Sequence, residues 1–186
     1  MQHRKLYAGL GGMVLAGTVA VAGIQASSAT ESARPAAAPG GVHLKADLDS
    51  LNDSGASGHV HAQFKGRKAE VRINARGLAK NLPHAQHLHF GAEARNECPN
   101  VFDDANNDLR INVAEGVPDY GPVIVNLGNF ATTTGSIDET LVFPNFTQSV
   151  LPLDKRAIVL HGMTGPNGYD ASIPIVCGQL HAMGNG

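Results

Sequence analysis

The sequence predicts an all-β domain folded as a two-layer sandwich, and three observations carry that prediction. Apolar residues at helical spacing are scarce. Short runs that alternate apolar and polar residues, or that are rich in β-branched types, recur along the chain. The segments between them are rich in Gly, Pro, Asn and Asp, the residues that turns require. Roughly seven or eight short strands in one domain imply a sandwich, because each strand has one apolar face to bury against a second layer.

Basic His3, Arg4 and Lys5 precede an apolar, glycine-spotted stretch over residues 6–24, and small residues follow at 26–29. Residues 1–29 therefore read as an export signal, and cleavage would leave no stable membrane span. Residues 30–41, rich in Ala and Pro without apolar periodicity, read as a flexible linker. Residues 42–186 form the expected single domain, long enough to bury a core without many crosslinks. The expected location is secreted, extracellular or associated with the cell surface. Losing Arg4 and Lys5 takes the formal charge from −2 to about −4, which points away from nucleic acid as a partner. The sequence names no protein partner. An even cysteine count in an exported chain argues for pairing Cys98 with Cys177, against two buried free thiols.

Residues 59–64 and 69–74 alternate apolar and polar and are joined by Lys65-Gly66-Arg67-Lys68, so they read as a hairpin. Further strands are expected at 84–90, 122–127, 136–143, 157–162 and 175–181. The run His84-Ala85-Gln86-His87-Leu88-His89 falls on one of these, where His87 and His89 project from the same face and can share one metal ion. A third imidazole from His161, on another apolar strand, would complete a three-nitrogen site suited to copper or zinc. The alternative for these residues is half-buried hydrogen bonding with no metal. His59 and His61 also share a strand face, a common arrangement for solvent-facing histidines.

The order of motifs resembles the copper-zinc superoxide dismutases from about residue 51 to 181: Gly58 to Gln63, Gly77-Leu78, the histidine run, Cys98, Leu127-Gly128-Asn129, Val159-Leu160-His161 and Cys177-Gly178. That resemblance implies a Greek-key, immunoglobulin-like β-sandwich, copper held by His87, His89 and His161, and a disulfide between Cys98 and Cys177. It also implies a supporting role for His84 outside the ligand set. The departures concern chemistry. No histidine lies between Cys98 and Tyr120, so the family's bridging imidazole and zinc ligands have no counterpart and no zinc is expected. Val123-Ile124-Val125-Asn126 stands where the family has His-x-x-Asp, and Pro174 stands where its anion-guiding arginine would be. A proton source would have to come from His59, His61 or His181, if the fold brought one near.

Two other patterns are present. The segment from Asp104 to Glu115 follows a calcium-loop spacing, with Asp104, Asn106, Asp108, the Arg110 carbonyl, Asn112 and Glu115 as oxygen ligands, although position six carries Leu109 where glycine is usual. The plainer alternative is an Asp/Asn-rich loop capping its own turns. The segment from Gly121 to Gly128, a His-x-His strand and a closing Gly178-Gln179-Leu180 are similar to the chordin-type (CHRD) domain, which implies a non-catalytic extracellular module. No Gly-x-Ser-x-Gly elbow or phosphate loop occurs, so hydrolase and nucleotide-binding readings lack support.

Overall fold

The computed structural model describes residues 41–146 and 154–183. The export signal at 1–29 lies outside the described residues, as does the 30–41 linker apart from Gly41. Among the described residues no helix is long and apolar enough to cross a membrane.

Among the described residues nine strands form one continuous antiparallel array: β1 (Val42–Ser50), β2 (Ser57–Lys65), β3 (Lys68–Arg76), β4 (Pro83–His89), β5 (Val123–Ala131), β6 (Ser136–Phe143), β7 (Ala157–Gly165), β8 (Gly168–Gln179) and β9 (His181–Ala182). Their order is β5-β4-β7-β8-β1-β2-β3-β6, with β9 on β1. β1 serves both layers. Residues 42–48 pair with β2, whereas Asp49 and Ser50 pair with Val176 and Cys177 of β8. The first layer is thus β1-β2-β3-β6 and the second is β8-β7-β4-β5. The chain crosses between layers after β3, β5, β6 and β8, which is the expected Greek-key sandwich.

Strand alternation explains the core. Leu44, Ala46 and Leu48 of β1, Val60, Ala62 and Phe64 of β2, and Val71 and Ile73 of β3 point inward to meet Leu88, Leu127, Ile158, Leu160 and Ile175 of the second layer. The hairpin expected at 59–74 is present, turning at Lys65–Lys68. β1 was not singled out from sequence, although its alternation is regular. The β7–β8 hairpin also runs further than expected, to a tight turn between Gly165 and Gly168.

The segment between β4 and β5 lies on the outer face of the second layer and contains the helix that periodicity did not reveal, α1 (Val113–Tyr120). Asn112 caps it, accepting from the Ala114 and Glu115 N–H groups, while the Glu115 carboxylate accepts from the Asn112 N–H in return. Eight residues containing Pro118 are too short for a full amphipathic repeat, which is why the helix escaped a periodicity criterion. It is held down by packing: Val117, Tyr120 and Cys98 meet Leu51, Ala157, Val159 and Cys177 in a second, smaller core. Cys98 and Cys177 form the disulfide, with a Cα–Cα distance of 5.7 Å, so the pairing alternative is the one realised. It closes 79 residues, worth roughly 4 kcal/mol by chain entropy.

Candidate metal centre

β4 places His84, Gln86 and Leu88 toward the interior and His87 and His89 on the opposite face, beneath the β4–β5 segment. β7 runs beside β4, with Gln86 to His89 paired against Leu160 to Ala157, and it carries His161 on the same outer face. Ladder irregularities fall at each of the three histidines: between Gln86 and His87, between Leu88 and His89, and on both sides of His161. Such bulges turn side chains away from strict alternation, and here three imidazoles converge. One nitrogen of each lies within 4.8 Å of the others, with ring centroids 5.2 to 5.8 Å apart. His89 and His161 are buried, while His87 is half-buried.

The hydrogen bonds define which nitrogens are available. His89 Nδ1 lies 2.8 Å from the Gly121 carbonyl and His161 Nδ1 lies 2.8 Å from the Ser172 carbonyl, so each Nδ1–H donates and each Nε2 keeps its lone pair. Those two Nε2 atoms and His87 Nδ1 are buried without a hydrogen-bond partner. An orphaned buried polar atom is costly, and the three residues that carry these atoms form a group that could hold a metal ion. Burial pushes the His89 pKa down to about 4, outweighing the Gly121 bond that favours its charged form, with His161 and His87 adding repulsion. His161 falls to about 4 chiefly through burial, and burial also lowers His87. The three rings are therefore neutral near pH 7, the form that ligates a soft or borderline metal.

The surroundings fix these rings. His84 is fully buried, with Nδ1 3.0 Å from the His161 carbonyl and Nε2 3.0 Å from the Ala79 carbonyl, and it stacks on Phe130. Its ring thereby braces the backbone of β7 at His161. Gly162 permits this approach, since at φ +112 a Cβ there would stand 3.0 Å from His84 Nδ1 and 2.9 Å from the Pro83 carbonyl oxygen. Tyr120 packs on His89 with centroids 4.5 Å apart, and burial raises its hydroxyl pKa to about 12. Arg95 grips Asp119 and Asp103 and donates its backbone N–H to Pro118, which holds Gly121 where His89 needs it. Sequence reasoning missed Tyr120 and Gly121, because neither carries a ligand signature and Gly121 acts through its backbone.

Other expected contributors lie elsewhere. His59 and His61 are exposed on the outer face of the first layer, and His181 stands exposed on β9 opposite Lys45. None joins the three-histidine group. Pro174 pairs with His161, so no arginine occupies the guiding position, and the Arg110 guanidinium lies instead over Gly165 near Asp170.

The residues expected to bind calcium share one exposed loop, but their oxygens are engaged by it. Asp104 accepts from the Asp108 and Leu109 N–H groups, Asn106 Oδ1 accepts from Asp108 N–H, and Glu115 accepts from Asn106 and Asn112 N–H. Leu109 takes the left-handed conformation, φ +66, which position six of such a loop demands. Asp104, Asp108 and Glu115 do not gather into a ligand group like the histidines.

No protein-family model and no curated protein matches this sequence. Among solved structures the fold is similar to superoxide dismutase 5 of Candida albicans in its Cu(II) form, with 14% identity, a TM-score of 0.47, and coverage of 78% of this chain and 95% of that one. A point mutant of the same Candida protein matches with 15% identity, a TM-score of 0.47, and coverage of 78% and 92%.

Proposed function

We propose that this chain is an exported copper protein of the superoxide dismutase type that binds one copper ion through His87 Nδ1, His89 Nε2 and His161 Nε2, without a zinc partner. The observation that carries the reading is the set of three convergent, unpartnered, buried imidazole nitrogens. All-nitrogen ligation favours copper among divalent first-row metals. The motif resemblance from about residue 51 to 181 supports the same ligands, and the disulfide supports export.

When bound, copper supplies a one-electron couple able to take an electron from one superoxide and return it to the next. The chain's residues supply the setting. Burial keeps His89 and His161 neutral, the Gly121 and Ser172 carbonyls fix their tautomers, and half-buried His87 marks the solvent side. Reduction of superoxide to hydrogen peroxide consumes two protons. With His59, His61 and His181 outside the site, water entering beside His87 delivers them. Pro174 beside His161 leaves substrate capture without electrostatic steering, so the rate should fall below the diffusional ceiling and depend little on salt.

The chain has no tryptophan, and Tyr120 touches His89, so tyrosine emission reports on the site. Copper(II) is expected to quench emission to an endpoint at one tight equivalent, and the loaded protein should remove superoxide faster than free copper. Tight binding without that advantage would favour the second reading, a non-catalytic extracellular module on the same scaffold, which the missing guiding arginine also favours.

A further inference from the structure

We propose that His59 and His61 form a second, solvent-open site for a divalent transition metal, with copper(II) preferred. The two residues alternate on β2 with inward-facing Val60 between them, so both rings project from the outer face of the first layer. Their centroids are 5.6 Å apart, within the 5.2 to 5.8 Å range of the buried triad, and both rings are exposed. Two imidazoles at that spacing offer one ion two nitrogen ligands, and the remaining positions fall to water.

The neighbouring charges balance. Asp47 lies opposite His59 and Lys45 opposite His61 on β1, while Asn74 and Arg72 flank them on β3. Arg72 is committed to Asp138 through hydrogen bonds of 2.9 and 2.8 Å, and the Asp138 carboxylate in turn interacts with His59. A dication therefore meets Asp47 and Asp138 on the His59 side, with one of the two nearby cations already paired. The other exposed histidines of this layer are placed differently. His43 contacts Gln63 at 3.3 Å, and His181 stands across Lys45. With two protein ligands rather than three, and no burial, the site holds its ion more weakly than the triad and exchanges it freely. Imidazole ligation again places copper ahead of the other first-row dications.

The test is a copper(II) titration of the full chain, followed by equilibrium dialysis and electron paramagnetic resonance. Every sample carries His3→Ala, which removes the histidine outside the described residues. Two equivalents are expected, of which only the first survives buffer exchange. His59→Ala and His61→Ala should each weaken the second equivalent at least tenfold, leave the first intact and keep Tm unchanged, since both positions are exposed. His87→Ala should do the reverse, and His181→Ala should change neither. A single equivalent in the parent chain overturns the inference, as does a second equivalent that persists unchanged in either His59→Ala or His61→Ala. Loss of the retained ion alone would count against the buried centre and not against this site.

Discussion

Two strands of this molecule carry the same motif, His-x-His, and the fold treats them oppositely. On β4, His87 and His89 are overlaid by the β4–β5 segment and joined by His161 from β7. On β2, His59 and His61 face solvent, flanked by Lys45, Asp47 and Arg72. Strand periodicity alone supplies a pair of imidazoles on one face. Burial, a third imidazole and backbone carbonyls that fix the tautomer come from other parts of the chain, and these turn a pair into a three-nitrogen group that could hold a metal ion.

Removing the third ligand should have the largest effect. His161→Ala is expected to lower copper affinity by more than the roughly 10–100-fold that outer-shell changes cost, and to abolish copper-dependent tyrosine quenching. Equilibrium dialysis against a competing chelator measures it, and affinity within tenfold of the parent would leave β4 and β2 functionally alike. Gly121→Ala ranks next. A Cβ at φ +82 would stand 2.4 Å from the Phe90 carbonyl carbon and the Gly91 nitrogen, so the segment must shift and withdraw the carbonyl that orients His89. We expect a loss of roughly 2–4 kcal/mol in thermal or denaturant unfolding together with weaker copper retention.

A pH series sharpens the contrast between the two faces. Unfolded histidines take up protons below about pH 6.5, whereas folded His89 and His161 resist until about pH 4. The unfolded state thus binds more protons across that window, and the metal-free protein should lose stability as pH falls from about 6.5 to about 4. Replacing both His89 and His161 with Gln should flatten this slope, and His59→Gln should leave it in place. Urea midpoints at several pH values read the difference.

Much of this was legible in the sequence, for definite physical reasons. Alternation revealed β2 and β3, because a strand with one buried face must alternate, the short β-rich runs at 84–90, 122–127, 136–143, 157–162 and 175–181 marked β4 to β8, and the histidine run and His161 supplied the three clustered imidazoles. β1 is just as regular, but its inward Leu44, Ala46 and Leu48 are separated by charged residues that suggest a surface segment. Helix α1 was hidden because Asn112 and Glu115, its capping pair, also fit a calcium spacing. Tyr120 and Gly121 were invisible as site residues, since one contributes a ring face and the other a carbonyl, and their proximity to His89 depends on how the segment folds back under Arg95.

The smallest expected effect concerns the loop from Asp104 to Glu115, where a ligand-like spacing coincides with internal side-chain to backbone hydrogen bonds. Its side-chain oxygens already accept from the N–H groups of residues 106, 108, 109 and 112, so millimolar calcium should move Tm by less than about 1 °C. A larger rise that disappears in Glu115→Gln would place calcium in the loop. Leu109→Gly separates backbone from ligand effects. Leu109 sits 87% exposed at φ +66, where a Cβ costs roughly 1–2 kcal/mol, and glycine returns part of that gain through its unfolded-state entropy. The net stabilisation should therefore stay below about 1 kcal/mol and be the same with and without calcium.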